Sequence, residues 1–285
     1  MNAPAPVLAP PAATAARPVI APSAARLVHW LLGGEHHHHP ADRLLGLELL
    51  KTAPWFEESV TIGHRYAHQT VRMFRDCGVQ QFVDLGSGLP TPNPRLPHTS
   101  ASAGPDATVL HVDADPYVIR HGPGLLPRGT RHRFLHEDPQ NMHRILRDLP
   151  LHGFDPAQPI AFLLHNVLDR IPSPADARAV LTPILSTAPP GSVISLTHAT
   201  ADLCRDGSAR AAANCLTEAG LPLHLRTAEE TRDLIEPQTH SRPWHIRAPG
   251  ITPVGNYHPT RSPIPDSPGP SGGYAAILLH PDDPR

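Results

Sequence analysis

A short stretch of the chain, residues 82–91 with the sequence FVDLGSGLPT, constrains the fold more than any other feature. Its apolar run ends in Asp84, and Gly86 and Gly88 follow on either side of Ser87. Glycine tolerates a positive φ and lets backbone approach a ligand where a Cβ would clash. The pattern predicts a buried strand, a tight glycine turn and then a helix, with Asp84 accepting hydrogen bonds from a cationic ligand group.

A second apolar run, residues 108–112, ends at Asp113, about 20 residues beyond the glycine turn. An acid at this place holds the ribose diol in nucleotide-binding Rossmann units, and Asp115 is the alternative residue for that role. A dinucleotide fingerprint would need a third glycine where the chain has Thr91, and Pro90 disfavours a helix N-terminus that binds a diphosphate. The pattern therefore favours an adenosine ligand without a diphosphate, of which S-adenosylmethionine is the common one.

Composition excludes several classes of protein. A length of 285 residues suits one α/β domain with extensions. The formal net charge of −2, from 24 basic and 26 acidic residues, attracts neither nucleic acid nor an anionic membrane. No run approaches the roughly 20 apolar residues of a membrane span, and prolines interrupt the N-terminus where a signal peptide would be apolar. We therefore expect a soluble, cytoplasmic protein.

Alternating apolar and amphipathic patterns predict the organisation of the chain. We expect a disordered Ala/Pro-rich arm over 1–22, an N-terminal helical cap over 23–78, and a Rossmann-like domain over 79–285 with a mobile Pro-rich loop at 259–273. The predicted strands cover residues 81–85, 108–112, 131–135, 159–165, 192–198, 244–247 and 274–280. The predicted helices cover residues 24–32, 41–52, 56–76, 140–148, 175–186, 208–219 and 228–235.

Several blocks between about residues 22 and 280 carry a family resemblance. They are PSAAR at 22–26, LLGG at 31–34, ADR at 41–43, QFVDLGSGLPT at 81–91, VDADP at 112–116, LTHATAD at 196–202 and LR at 225–226. In these blocks the chain resembles the actinobacterial-type S-adenosylmethionine methyltransferases first catalogued as a domain of unknown function. The resemblance implies a class I methyltransferase fold, a Rossmann-like doubly wound α/β sheet of about seven strands. The last strand is expected to be antiparallel, and a helical cap to precede the sheet.

The resemblance and the glycine turn together predict the binding residues for the cofactor S-adenosylmethionine. The expected cofactor-binding residues are Asp84, Gly86, Ser87, Gly88, Asp113, Asp138, His165 and Asn166. Asp138 follows the third strand, where such enzymes place an acid against the adenine amino group, and a helix cap is its alternative role. His165 and His198 end the fourth and fifth strands and are candidate catalytic bases. The alternative for each is a histidine bonded to loop backbone.

No metal site is expected from residue spacing. Four consecutive histidines, 36–39, cannot all face one ion, and no acid or cysteine lies at a recognisable ligand spacing from them. They depart from the family pattern and favour a flexible loop, which could serve as a lid over the cofactor. The cysteines Cys77, Cys204 and Cys215 lack metal-type spacing, and their odd number favours reduced thiols over a disulfide framework.

These patterns predict a methyltransferase that acts on a small-molecule acceptor. The sequence leaves open the identity of the acceptor and the oligomeric state of the protein. The alternative is a non-catalytic regulatory protein that binds S-adenosylmethionine or S-adenosylhomocysteine, which the altered loop at 35–40 supports. A nicotinamide-dependent reductase is disfavoured by the missing third glycine. Nucleic acid is excluded as acceptor because the net charge is near zero and the arginines are scattered without a basic run. The one feature that counts against this exclusion is a local basic cluster: Arg128, Arg131 and Arg133.

Overall fold

The computed structural model describes residues 20–91, 97–126, 131–236, 244–257 and 272–282, which build a mixed eight-stranded sheet. The strands are β1 Gln81–Leu85, β2 Thr108–Asp113, β3 Arg131–His136, β4 Ile160–His165, β5 Val193–Ala199, β6 His245–Ile246, β7 Thr252–Pro253 and β8 Gly273–Leu279. Their order is β3-β2-β1-β4-β5-β8-β6, and β7 also pairs with β8. The order reverses between β1 and β4, and ligands of open α/β sheets bind at such a switch point.

Strand direction confirms the predicted fold class. Strands β1 to β5 run parallel, whereas β8 runs antiparallel to β5, β6 and β7. The described sheet has eight strands instead of about seven because the two-residue β7 was not predicted. The seven predicted strands all form, and each strand end agrees with the predicted one or differs from it by one residue.

Nine α-helices are described. They are α1 Ala24–Leu31, α2 Pro40–Thr52, α3 Phe56–Asp76, α4 Thr99–Ala103, α5 Pro116–His121, α6 Met142–Asp148, α7 Pro174–Thr187, α8 Ser208–Glu218 and α9 Ala228–Ile235. The seven predicted helices form, and the short α4 and α5 are additional. The helix expected directly after the glycine turn does not begin there, since the described residues 89–91 are not helical.

Both faces of the sheet are covered, as parallel strands require. Successive side chains of a strand point to opposite faces. Accordingly, Val83 packs in one cluster with Val180 of α7, and Phe82 packs in the other with Phe74 of α3. The apolar runs that predicted β1, β4 and β5 are thus explained by burial on two sides, which leaves only the strand ends free for chemistry.

The N-terminal helices divide into two groups by what they cover. Helix α3 places Tyr66 and Phe74 on the sheet and belongs to the α/β layers. Helices α1 and α2 instead bury Leu27 and Leu49 in a separate cluster with Leu216 of α8. Phe56 and Val60, at the start of α3, also pack against this separate cluster, so α3 joins α1 and α2 to the sheet.

Several expectations fall where the structure gives no description. Residues 1–19 contain most of the expected arm, and residues 258–271 contain most of the expected Pro-rich loop; both lie outside the described residues. Within the described ranges, no helix combines the length and apolar character needed to cross a membrane. The three cysteines all lie in those ranges, and none of them forms a disulfide, as expected.

Candidate functional site

A cavity of about 560 Å³ opens at the carboxyl ends of β1, β2 and β4. Its volume lies in the range of small-molecule and cofactor sites. Seven of the eight residues predicted to bind cofactor line it: Gly86, Ser87, Gly88, Asp113, Asp138, His165 and Asn166. The switch point of the sheet and the predicted residues therefore coincide in one cavity.

The glycine turn presents bare backbone to this cavity. Gly86 and Gly88 have φ values of 61° and 63°, in the left-handed region that favours glycine. A Cβ on Gly88 would meet no protein atom within 4 Å, whereas one on Gly86 would lie 3.0 Å from Val167 Cγ2. The Ser87 hydroxyl is buried without a hydrogen-bond partner among the described residues. The turn thus offers open space and one unpaired polar atom at the position expected for a ligand.

The carboxylate of Asp113 lies beside the turn and is held in place by backbone. It accepts hydrogen bonds from Gly88 N at 2.8 Å and from Asp115 N at 2.9 Å. Burial raises the pKa of Asp113, although the two backbone bonds oppose that effect. Each carboxylate oxygen keeps acceptor capacity beyond these bonds, which suits a ribose diol.

Asp115, the alternative ribose ligand, has other partners. Its Oδ1 accepts from Tyr117 N at 2.8 Å and caps α5, while its Oδ2 accepts from Ser23 Oγ at 2.5 Å. The residue also lines the cavity. Asp115 therefore ties the segment before α1 to the end of β2, and its oxygens, like those of Asp113, keep further acceptor capacity.

Asp138 combines both roles considered for it. Its Oδ1 accepts from Gln140 N at 2.8 Å and caps the short 3₁₀ helix Pro139–Asn141. The same residue is partly exposed in the cavity wall. The cap fixes the direction of the carboxylate without excluding a ligand amino group.

Asp84 lies behind the cavity wall and does not line it. Its Oδ2 is 3.3 Å from Nδ1 of the fully buried His111. Burial opposes ionisation of Asp84, but the hydrogen bond and charge of His111 outweigh burial and lower the pKa of Asp84 to about 2. This placement speaks against the predicted direct contact between Asp84 and the cofactor.

His165 faces the cavity at the end of β4 and is part of a hydrogen-bond chain. The Tyr66 hydroxyl lies 3.5 Å from the Ala276 carbonyl and 3.0 Å from Ser195 Oγ, which is 2.9 Å from His165 Nε2. Two directions of this chain are possible. If Tyr66 donates to the carbonyl, Ser195 donates to Tyr66 and Nε2–H of His165 donates to Ser195, which leaves Nδ1 as an acceptor; if Tyr66 donates to Ser195, the Ser195 hydroxyl can donate to Nε2. Burial lowers the pKa of His165 to about 4, with Asp84 opposing, so the ring is neutral at pH 7.

His198 is bonded to backbone, the alternative considered for it, and its placement does not support a role as a base. The ring is fully buried and lines neither this cavity nor the adjacent one. Its Nδ1 lies 2.9 Å from the Ala199 carbonyl and its Nε2 lies 2.8 Å from Arg226 Nη1. A carbonyl only accepts and a guanidinium only donates, so both ring nitrogens are occupied. His198 positions Arg226, which also donates to the Leu168 carbonyl.

A second cavity, of about 80 Å³, adjoins the first at the ends of β4 and β5. Three residues, Val28, Asn166 and Arg170, line both cavities. Aromatic and aliphatic side chains form much of its remaining wall: Trp55, Phe56, Val60, Leu223, Leu225 and Val254. The Trp55 indole is fixed by a 2.8 Å hydrogen bond to Ser208 Oγ. The second cavity is therefore a mostly apolar compartment that shares part of its wall with the first.

Asn166 stands at the junction of the two cavities in a strained conformation. Its φ is 55°, which is uncommon for a residue with a side chain. Thr197 holds it, because Thr197 Oγ1 accepts from Asn166 N at 3.0 Å and donates to Asn166 Oδ1 at 3.0 Å. Backbone strain of this kind concentrates at functional sites.

Sequence reasoning missed the polar network that seats the cap. Asp42, fully buried, forms an ion pair of 2.8 Å with Arg26 and accepts from Ser23 N at 2.9 Å. Ser23 and Val28 line the cofactor cavity, as does His64 of α3. Ser23, Arg26 and Asp42 all lie in the blocks that carried the family resemblance, which was the available signal. The histidine loop packs against α5, where the His37 and His121 rings are 5.5 Å apart.

Comparison with known proteins gives a family match over most of the chain. A family model described as S-adenosyl methyltransferase matches residues 15–278. No curated protein matches the sequence. A proposed methyltransferase of Thermobifida fusca is 28% identical, with a TM-score of 0.79 over 91% of this chain and 95% of that one.

Two further solved structures share the fold. A DUF574 family protein of Streptomyces avermitilis is 23% identical, with a TM-score of 0.78 over 91% of this chain and 97% of that one. The plantazolicin methyltransferase, solved with S-adenosylhomocysteine, is 12% identical, with a TM-score of 0.52 over 90% of this chain and 96% of that one. These likenesses confirm the class I methyltransferase fold.

Proposed function

Because the chain belongs to the S-adenosyl methyltransferase family, we propose that it methylates a small organic molecule bound in its second cavity. S-adenosylmethionine is the cofactor, and it supplies a methyl group already activated on a sulfonium. The observation that carries the proposal is the junction of the two cavities at Asn166 and Arg170. The family and fold favour an enzyme over the non-catalytic regulatory protein considered above.

We assign cofactor binding to residues of the larger cavity. Gly88 provides the open backbone, Asp113 the acceptor for ribose hydroxyls and Asp138 the acceptor for the adenine amino group. The unpaired Ser87 hydroxyl and the open space above Gly88 fit a bound group at this turn. Helices α1 and α2 would cover the cofactor, since Ser23 joins the cap to Asp115 at the cavity edge.

His165 is the candidate catalytic base. In the tautomer whose Nε2–H donates to Ser195, Nδ1 is able to take a proton from an acceptor hydroxyl or amine. A pKa of about 4 keeps the imidazole unprotonated at pH 7 but makes it a weak base. Its contribution is therefore modest, and the strained Asn166 contributes by orienting the acceptor for in-line transfer.

The side chains that line the second cavity support a small, partly apolar acceptor. Trp55 and Phe56 offer flat apolar surfaces, and Arg170 is the basic residue in the wall. A nucleic-acid acceptor would need a series of phosphate-binding cations, which neutralise charge and make binding steeply salt-dependent. Of the basic cluster, Arg131 and Arg133 are exposed on β3, at the far edge of the sheet from the second cavity, and Arg128 lies outside the described residues.

The test is methyl transfer to fractions of a cell extract, followed by mass spectrometry of S-adenosylhomocysteine and of methylated products. We expect product in the small-molecule fraction. Trp55→Ala should raise the KM for the acceptor with cofactor affinity retained. His165→Ala should lower kcat, and its cofactor affinity is measured separately because His165 lines the larger cavity. His245→Ala, which changes an exposed histidine on β6, is the matched control and should behave as wild type.

Two outcomes would contradict the proposal. The first is methylation confined to a nucleic-acid or protein fraction, with binding that weakens steeply between about 50 and 200 mM salt. The second is an unchanged KM and kcat in both Trp55→Ala and His165→Ala, which would place the acceptor elsewhere.

A further inference from the structure

Three side chains of the kinds that bind metal ions lie close together behind the glycine turn, outside the two cavities. Asp84, His98 and His111 are all buried, and one potential ligand atom from each lies within 4.8 Å of the other two. Within the described ranges, this is the one group of three or more histidine, cysteine or acidic residues close enough to hold an ion. Cofactor binding and methyl transfer use none of these three side chains directly.

Parallel strand pairing creates the group. Asp84 and His111 are register partners on β1 and β2, so their side chains lie side by side on one face of the sheet. His98 reaches the same place from the N-cap position of α4, and its ring centroid is 4.5 Å from that of His111. Three separate elements thus direct donor atoms to a single point in the interior.

The hydrogen bonds of His111 match those of a metal ligand. Its Nε2 lies 2.6 Å from Ser100 Oγ, and its Nδ1 lies 3.3 Å from Asp84 Oδ2. A ligating histidine typically donates its other N–H to a neighbouring oxygen, here Ser100. Without an ion, Nδ1–H of His111 donates to Asp84 Oδ2. When Nε2–H donates to Ser100 instead, Nδ1 has a free lone pair, and it can bind one cation together with Asp84 Oδ2.

The spacing of these atoms also fits an ion. Zinc binds histidine nitrogen and carboxylate oxygen at about 2.0–2.2 Å in tetrahedral geometry, which sets two ligand atoms about 3.4 Å apart. The observed separation of 3.3 Å agrees with that value and is long for a charge-assisted hydrogen bond, which is typically about 2.7–2.9 Å.

His98 supports a bound ion independently of the distance between Asp84 and His111. The residue is only 9% exposed, and neither ring nitrogen makes a well-aligned hydrogen bond to a described residue, although the Ser87 backbone lies close enough for a weak polar contact. A buried polar group without a partner is costly, and native structures seldom contain one. A third ligand bond from His98 would satisfy the ring.

We propose that Asp84, His98 and His111 bind a divalent transition metal, with Zn²⁺ as the best match to two imidazoles and one carboxylate. The ion would join β1, β2 and α4 behind the glycine turn and stabilise that part of the fold. The site is separate from methyl transfer, so its failure would leave the proposed function unaffected.

The experiment uses the untagged full-length protein, stripped with EDTA and titrated with Zn²⁺ and with Co²⁺. We expect one tightly bound equivalent by elemental analysis, a higher Tm with metal, and a visible absorption band with Co²⁺. His98→Gln should lose all three responses. The double variant His36→Gln/His38→Gln, which alters the surface histidine loop, should keep them.

Some results would overturn the proposal. One is metal binding that survives His98→Gln but disappears in the loop variant, which would place the ion on the surface. Another is the absence of any Tm or absorption response in the wild type. If His98→Gln does not fold, NMR of the wild type decides: Co²⁺ must shift or broaden the ring signals of His98 and His111, and unaffected signals refute the site.

Discussion

Replacing Gly88 by alanine tests whether a ligand lies over the glycine turn. The new Cβ would meet no protein atom within 4 Å, so the substitution creates no clash inside the protein. The residue has a φ of 63°, and a left-handed conformation costs an alanine about 1–2 kcal/mol. Reduced freedom of the unfolded chain offsets about 0.4–1 kcal/mol of this cost. We therefore expect a folded protein destabilised by about 1 kcal/mol, or about 2–4 °C in Tm.

Ligand affinity should fall by more than the change in stability suggests. The Cβ would occupy space in the cavity next to Ser87, where the cofactor is expected to approach backbone closely. We expect S-adenosylhomocysteine to bind at least about tenfold more weakly, which is about 1.4 kcal/mol. Calorimetry measures the affinity, and thermal unfolding without ligand measures the stability.

Gly153→Ala is the matched control. Gly153 has a φ of 86°, a Cβ added to it would also meet no protein atom within 4 Å, and the residue does not line the cofactor cavity. The control should show a similar loss of Tm with unchanged affinity for S-adenosylhomocysteine. The reasoning is refuted if Gly88→Ala binds as tightly as wild type, or if both variants lose affinity equally.

Three further changes have defined outcomes. Asp113→Asn should weaken S-adenosylhomocysteine binding by about 1–3 kcal/mol in calorimetry, because charge-assisted bonds to the ribose are lost; unchanged affinity would exclude this contact. Asp42→Asn leaves Arg26 buried without its ionic partner and should destabilise the protein by about 3–5 kcal/mol in urea unfolding. The loss of an exposed ion pair would cost far less. Burial lowers the pKa of His64 and of His165 to about 4, from 6.5 when unfolded. The unfolded chain therefore binds protons first, and Tm should fall as pH drops from about 6.5 towards 4; a Tm that rises over this range would contradict the assignment.

Local sequence signals predicted the elements that have strong local causes. The apolar run before Asp84 and the two glycines identified β1 and its turn, because burial on two faces and positive φ each leave a direct trace in sequence. Helix α3 was predicted with its observed ends for the same reason, since its apolar face repeats at helical spacing. The five-residue α4 and the two-residue β7 are too short to show a period.

Side-chain direction was the part that sequence could not supply. His198 lies at the end of β5 as predicted, but its ring is turned to Arg226 instead of the cavity. Asp84 was correctly placed at the end of β1, yet its partner His111 lies on the neighbouring strand and became visible only through strand register. Residues far apart in sequence reveal a shared site only after the chain is folded.

Hydrogen exchange with and without S-adenosylhomocysteine, followed by mass spectrometry, tests the central claim most directly. The account predicts slower exchange on binding at three segments that surround the larger cavity: 86–88, 113–115 and the cap at 23–43. Protection at the first two segments alone would retain the cofactor site and reject the cap. No protection at the glycine turn, or protection confined to the opposite edge of the sheet, would contradict the assignment of this cavity to the cofactor.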